Sequence, residues 1–189
     1  MVEKGLVSVI VASYNSSHTI GVCLSSVILQ TYRPIQICLH DDGSSDDSAR
    51  VIKKWADAIN GNNHEALRLL MNNCWGLSAI SDAMLSGLGL FKHTGNIADA
   101  LTMKYTASPP RCIDTLHSPR GRGPGYARQC AIQLSTGAVV SILDSDDAML
   151  PRRIQAQLHA MGSQQHLGPE RLHSLSWLGG RMPAVHPLR

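Results

Sequence analysis

A continuous apolar run, LVSVIVA at positions 6–12, most constrains the fold of this chain. Because it lacks polar alternation and is mostly β-branched, it predicts a strand buried on both faces of a parallel sheet. A helical stripe follows, formed by Ile20, Cys23, Leu24, Val27 and Ile28. A second apolar stretch, IQICL at 35–39, precedes another helical stripe at 52–59. Strand, helix, strand, helix in the first 60 residues predicts an α/β fold.

The rest of the chain divides into three kinds of segment. Residues 64–115 carry helical patterns without a β-branched strand, which predicts a helical insertion. After a Gly/Pro loop, HSPRGRGPG at 117–125, a short helix at 126–135 leads to a strand, AVVSIL at 138–143, and Pro151 opens a last helix to about 161. Residues 162–189 have no period and predict an irregular, poorly ordered basic tail. We therefore expect one domain over residues 1–161.

Charge and aromatic content exclude a nucleic-acid partner. Lys and Arg number 12 against 13 Asp and Glu through Leu150, and 5 against 1 beyond it. The basic excess therefore lies in the tail, where it is scattered and forms no dense cationic run. Aromatic residues make up 4% of the chain, too few for a platform that stacks bases.

The cysteines and apolar runs predict a cytoplasmic protein. Five cysteines, an odd number without a Cys-x-x-Cys pair, favour free thiols in a reducing compartment. The first apolar run is too short and too acidic at its start for a signal peptide. No stretch of the sequence reaches the ~18 apolar residues of a membrane span.

Two acidic clusters follow predicted strands, at the edge where open α/β sheets bind ligands. Asp41 and Asp42 follow the second strand, and Asp146 and Asp147 follow the strand at 138–143. A strand-end carboxylate can accept the imide N–H of uracil, and adjacent carboxylates suit Mg²⁺ or Mn²⁺ on a diphosphate. For both clusters the alternative is a solvated turn that caps the next helix.

The glycine-rich loop is a weaker signal. Gly121, Gly123 and Gly125 miss both the dinucleotide fingerprint and the P-loop pattern. A plain flexible loop is the favoured interpretation, and the alternative is that Arg120, Arg122 and Arg128 contact phosphates.

Five segments, in order, resemble the family 2 inverting glycosyltransferases. They are VSVIVASYN (7–15), SSVILQTY (25–32), DDGSSD (41–46), GYAR (125–128) and LDSDD (143–147). The loop HSPRG at 117–121, with GYA, is most similar to the β-1,3-N-acetylglucosaminyltransferase-like proteins of that family. The resemblance covers residues 6–60 and 117–160.

The resemblance implies a Rossmann-like GT-A half-domain that binds a UDP-sugar with Mn²⁺ or Mg²⁺. It implies inverting transfer of that sugar, with N-acetylglucosamine as the candidate, to a glycan or other hydroxyl acceptor. The implied nucleotide contacts are Ala12 and Tyr14 at the uridine, Asp42 at the uracil, Arg128 near the nucleotide and Asp146 on the ribose side; the implied metal ligand is Asp147.

The sequence departs from the family beyond Asp147. A glycosyltransferase needs a general base for the acceptor hydroxyl, and the only later acidic residue is Glu170, in an unpatterned segment. We assign no catalytic residue, and we expect an incomplete acceptor half and little sugar transfer by this chain. The alternative function is a truncated, non-catalytic nucleotide-sugar-binding remnant. A receiver-like phosphoacceptor domain is excluded because the first strand ends in Ser13-Tyr14-Asn15 and no Lys follows Lys104.

Overall fold

A parallel sheet with helices on both faces forms the described part of the chain. The computed structural model describes residues 3–74 and 110–162. In chain order the elements are β1 (Glu3–Ser13), α1 (Ile20–Ile28), β2 (Ile35–Asp41), α2 (Ser48–Asn60), α3 (His64–Cys74), β3 (Cys112–His117), α4 (Pro124–Gln133), β4 (Gly137–Asp144) and α5 (Arg153–Gly162). None of the described helices is long and apolar enough to cross a bilayer.

The four described strands run parallel in the order β3-β2-β1-β4. The apolar run of β1 lies at the centre, where Ile10 is paired with Cys38 of β2 and Ile142 of β4. Neighbours on both sides and helices on both faces explain why this run is buried without alternation. The predicted α/β fold with a parallel sheet is confirmed.

Alternate residues of the central strand pack into different layers. Val9 and Val11 are fully buried in the larger core, with Leu24 of α1 and Trp55 of α2. Ile10 faces the opposite layer and packs with Ala131 of α4. Such a two-sided core holds the carboxyl ends of β1, β2 and β4 at one rigid edge.

The predicted helical insertion at 64–115 is wrong at its C-terminal end, which is a strand. Its first helix, α3, is also part of the main core. Residues 112–115 belong to strand β3, which pairs with β2. β3 pairs with a single described strand and buries only Ile113. Since most of its side chains are not buried, its sequence does not need the continuous apolar run that marks a central strand. At the other end, α3 packs Leu67 and Met71 into the main core. Residues 75–109 of the predicted insertion, and the tail from 163, lie outside the described residues.

A buried glutamine joins the four strands through polar contacts. Gln36 of β2 is 3% exposed. Its Oε1 accepts hydrogen bonds from Ser8 Oγ of β1 at 2.7 Å and from the backbone N–H of Thr136, just before β4, at 3.0 Å. Its Nε2 donates to Asp114 Oδ2 of β3 at 2.7 Å and to Leu134 O at 3.1 Å. One side chain of β2 therefore satisfies polar groups in β1, in β3 and in the segment that leads into β4.

Candidate functional site

A cleft of about 700 Å³ lies at the carboxyl ends of β1, β2 and β4, beside the start of α4. The residues predicted to contact the nucleotide all line it: Ala12, Tyr14, Asp42, Arg128 and Asp146. The predicted metal ligand, Asp147, is outside the lining residues but adjacent to Asp146. The fold therefore brings together side chains from three strand ends and one helix.

Tyr14 and Ala12 form the wall on the β1 side. Ala12 is in β1, and Tyr14 follows the strand with 58% of its surface exposed. An exposed ring at the edge of a cleft offers a face on which a planar base can stack, as aromatic rings do for nucleobases in general. That Ala12 and Tyr14 contact the uridine stays a prediction.

Serine hydroxyl groups connect the loop after β1 with the loop after β4 and with the start of α2. Ser16, in the loop after β1, pairs its Oγ with Ser145 Oγ after β4 at 2.7 Å. The N–H of Ser16 donates to Ser48 Oγ at the start of α2, also at 2.7 Å. Ser48 Oγ in turn donates to Asp46 Oδ1. The sequence analysis did not identify Ser16 or Ser145, since serines carry no local signal of a long-range partner.

Asp41 and Asp46 stabilise the loop after β2 through hydrogen bonds, and neither lines the cleft. Asp41 accepts hydrogen bonds from Ser44 Oγ and from the His117 Nδ1 position at the end of β3. Burial opposes ionisation of Asp46, but hydrogen bonds from Ser48 and Ser17 outweigh it and lower the pKa of Asp46. These contacts are those of the capping and turn interpretation.

Asp42 differs because its buried carboxylate lies in the cleft wall. The residue is 3% exposed, and its Oδ2 accepts hydrogen bonds from the backbone N–H groups of Arg122 and Gly123, both at 2.7 Å. Its Oδ1 has no hydrogen-bond partner in the described part of the chain. The Nε2 atom of His40 lies 3.8 Å from this Oδ1 atom.

His40 is buried next to the Asp42 carboxylate. Burial lowers the pKa of His40, although Asp42 and Asp41 oppose that shift. Its Nε2 pairs with Ser118 Oγ at 3.1 Å, and its ring meets Tyr126 edge-on at 5.9 Å. The lowered pKa favours the neutral form of the His40 imidazole at pH 7.

Arg128 of α4 reaches the opposite acidic cluster. Its Nη2 donates to Asp144 Oδ1 at 2.7 Å, and both side chains are partly exposed in the cleft. Sequence analysis predicted Arg128 but missed Asp144, whose signal was its place at the carboxyl end of β4 in the same DSDD segment. The pair presents a guanidinium beside a carboxylate, an arrangement that suits a phosphate bound with a cation.

Asp146 and Asp147 lie on the exposed turn after β4. The N–H of Asp147 donates to Asp144 O at 3.0 Å, which forms the turn. Burial raises the pKa of the Cys23 thiol beneath, and the charges of Asp147, Asp146 and Asp144 raise it further. The three carboxylates therefore lie close enough together to act on the same thiol.

The donor set of this turn fits Mn²⁺ or Mg²⁺. Asp146 and Asp147 supply hard oxygen donors that solvent reaches. The described residues contain no cluster of three or more His, Cys, Asp or Glu side chains able to hold a metal by themselves. One or two carboxylates completed by substrate oxygens is the usual arrangement for Mg²⁺ on a diphosphate.

Comparison with known proteins identifies the family. Residues 8–79 and 93–172 match the family described as "Glycosyl transferase family 2". A curated Escherichia coli relative, UDP-Glc:alpha-D-GlcNAc-diphosphoundecaprenol beta-1,3-glucosyltransferase WfaP, is 26% identical over 160 residues, covering 85% of this chain and 43% of the relative. The cholesterol galactosyltransferase of Borreliella burgdorferi is 34% identical over 86 residues, covering 46% of this chain and 23% of the relative. The chain spans less than half the length of these relatives.

A solved structure shares the fold. The crystal structure of S. aureus TarS 1-349 in complex with UDP superposes with a TM-score of 0.50 at 17% sequence identity. The superposition covers 84% of this chain and 32% of that chain.

Proposed function

Because this chain belongs to glycosyltransferase family 2, we propose that its cleft binds a UDP-sugar as donor for transfer to a hydroxyl acceptor. The observation that carries this proposal is the convergence of the five predicted nucleotide contacts on one cleft at the carboxyl edge of the sheet. That edge is where parallel α/β sheets bind their ligands. The UDP complex of S. aureus TarS, a protein of the same fold, supports the choice of nucleotide.

The base and the diphosphate would occupy opposite ends of the cleft. Tyr14 would stack on the uracil, and Asp42 would accept its imide N–H. At the other end, Arg128 would face the diphosphate, and Asp146 would lie on the ribose side. Every one of these side chains lines the same cleft, so a single extended ligand can reach them all.

Sugar transfer in this cleft would be a single displacement that inverts the anomeric carbon. The acceptor oxygen forms its bond to that carbon as the bond to UDP breaks, and the acceptor proton passes to a base. Mn²⁺ or Mg²⁺ held by Asp147 and Asp146 would offset the negative charge that grows on the leaving UDP. Arg128, oriented by Asp144, places a permanent positive charge beside the same phosphates.

For the donor sugar we propose N-acetylglucosamine, from the resemblance of the loop HSPRG at 117–121 to the β-1,3-N-acetylglucosaminyltransferase-like proteins. The E. coli relative is named as a transferase of glucose from UDP-Glc, which makes UDP-glucose the first competitor to test. The proposed acceptor is a glycan or another hydroxyl compound. Glu170, the acidic residue considered as a base, lies outside the described residues.

A second candidate is nucleotide-sugar binding without transfer. Each carboxylate that lines the cleft in the described residues has another role and is not available as the base: Asp42 accepts loop N–H groups, Asp144 is paired with Arg128, and Asp146 would face the ribose. Incubation with radiolabelled UDP-GlcNAc and UDP-glucose, with galactosyl and lipid-linked acceptors, separates the two candidates. Labelled product supports the transferase; tight UDP binding with neither transfer nor hydrolysis supports the second candidate.

We expect UDP to bind about ten-fold more tightly with Mn²⁺ than with a chelator, because the cation offsets repulsion between diphosphate and the acidic turn. Asp147→Ala should remove most of that difference, and Asp146→Ala should weaken binding in both conditions. Calorimetric titration measures each affinity. Asp57→Ala, an exposed carboxylate on α2 paired with Lys53, is the matched control and should behave like the unsubstituted protein. Equal affinity with and without metal contradicts the metal site.

A further inference from the structure

We propose that the loop of residues 120–123, called the glycine loop below, is a positioning element that sets base selectivity by orienting Asp42. This inference rests on the proposed function, since it concerns recognition of the nucleobase. The sequence favours a plain flexible loop here. In the structure, however, the backbone N–H groups of Arg122 and Gly123 donate hydrogen bonds to the Asp42 carboxylate in the cleft wall. The selectivity would therefore depend on backbone geometry and not on a loop side chain.

The contact begins where β3 ends. Ser118 N–H donates to Asp41 O at 2.9 Å, which extends the pairing of β3 with β2 by one step. The chain then turns over the end of β2, and the N–H groups of Arg122 and Gly123 converge on Asp42 Oδ2. Two charge-assisted hydrogen bonds on one oxygen hold the carboxylate in a single orientation.

Two glycines permit this close approach of loop and strand end. Gly43 has φ of 76°, and a Cβ there would lie 2.8 Å from the backbone of Arg120 and Gly121. A Cβ on Gly121 would lie 3.0 Å from the carbonyl oxygen of Asp42. These nearest neighbours are backbone atoms, which cannot rotate away as a side chain would. The loop therefore lies against the strand end only if both positions lack a side chain.

Aromatic contacts support the loop from α4. The guanidinium of Arg122 lies 4.2 Å above the Tyr126 ring. The same ring meets His40, which lies behind Asp42. Cation–π and edge contacts of this kind stabilise a loop modestly, and here they tie the donor N–H of Arg122 to a helix.

The fixed orientation has a chemical consequence. The loop N–H groups hold Oδ2, and Oδ1 is buried 3.8 Å from His40 Nε2 without a hydrogen-bond partner in the described part of the chain. An ionised carboxylate accepts hydrogen bonds but cannot donate them. It therefore favours uracil, whose N3 carries a hydrogen, over cytosine, whose N3 carries a lone pair. A loop shift of a few tenths of an ångström would loosen that discrimination.

The main test compares Gly121→Ala with Gly125→Ala. The first adds a Cβ against Asp42 O; the second adds one in open space on α4, outside the lining residues. For Gly121→Ala we expect UDP affinity to fall about ten-fold and the ratio of UDP to CDP affinity to fall toward one, while the melting temperature changes little. Gly125→Ala should keep both the affinity and the ratio. A purely structural role of the loop would lower stability without changing the ratio.

Arg122→Pro and Arg122→Ala supply an independent pair that carries the test if Gly121→Ala does not fold. Both variants lose the side chain, but only proline also removes the N–H that Asp42 accepts. A further loss of UDP-over-CDP preference in the proline variant supports the proposal. If Gly121→Ala and Arg122→Pro both retain the preference while Asp42→Ala loses it, the inference is overturned and the proposed function stands. If the unsubstituted protein binds no UDP, the proposed function fails, and this inference with it.

Discussion

Asp42→Asn is expected to lower UDP affinity by about 10²-fold and to narrow the preference for UDP over CDP. The two loop N–H groups at 2.7 Å select the amide oxygen for the Oδ2 position. The amide nitrogen must then occupy the buried Oδ1 position beside His40, and the oxygen at the Oδ2 position no longer carries a charge. An uncharged oxygen accepts a hydrogen bond from uracil N3–H less strongly than a carboxylate does. Calorimetric titration of UDP and CDP measures both affinities.

Asp41→Asn is the control for this substitution. Asp41 is the adjacent carboxylate and is equally buried, but it is bonded to Ser44 and His117 and is outside the lining residues. It should lose some stability without a change in base preference. Should Asp42→Asn bind UDP as well as the unsubstituted protein does, the assignment of Asp42 to uracil would be wrong.

Gln36→Leu is expected to lower the free energy of unfolding by about 3 kcal/mol. Leucine is close to glutamine in size, so the effect comes from polar groups left without partners. The N–H of Thr136 and the hydroxyl of Ser8 lose their acceptor, and Asp114 loses a donor. These groups belong to, or adjoin, three different strands, so the loss weakens the whole sheet. Urea denaturation followed by circular dichroism measures the change.

Gln129→Leu on the exposed face of α4 is the matched control. It makes the same chemical change in solvent and should alter the free energy of unfolding by less than about 0.5 kcal/mol. An equal effect of the two substitutions would refute the structural role assigned to the Gln36 contacts. UDP affinity of folded Gln36→Leu should be unchanged, since Gln36 is outside the lining residues of the cleft.

Local sequence patterns predicted the strands and helices whose burial is visible in their own apolar residues. The run at 6–12 predicts the central strand because a segment buried on both faces needs apolar side chains at every position. β3 escaped prediction because it buries only Ile113, so its sequence CIDTLH shows no continuous apolar run. Its place in the sheet depends on pairing with β2, which lies more than 70 positions earlier in the chain.

Sequence patterns are enough to predict the α/β sheet, the acidic clusters at its carboxyl edge and the family to which their motifs belong. They do not show which of two adjacent aspartates faces the cleft; in the folded chain Asp41 is bonded to His117, and Asp42 accepts hydrogen bonds from the glycine loop. The tertiary structure also pairs Arg128 with Asp144. Periodicity and strand-end position are local properties that a sequence displays directly. The partners of a polar side chain depend on which distant backbone arrives beside it, and that is settled only when the sheet, its helices and their loops pack together.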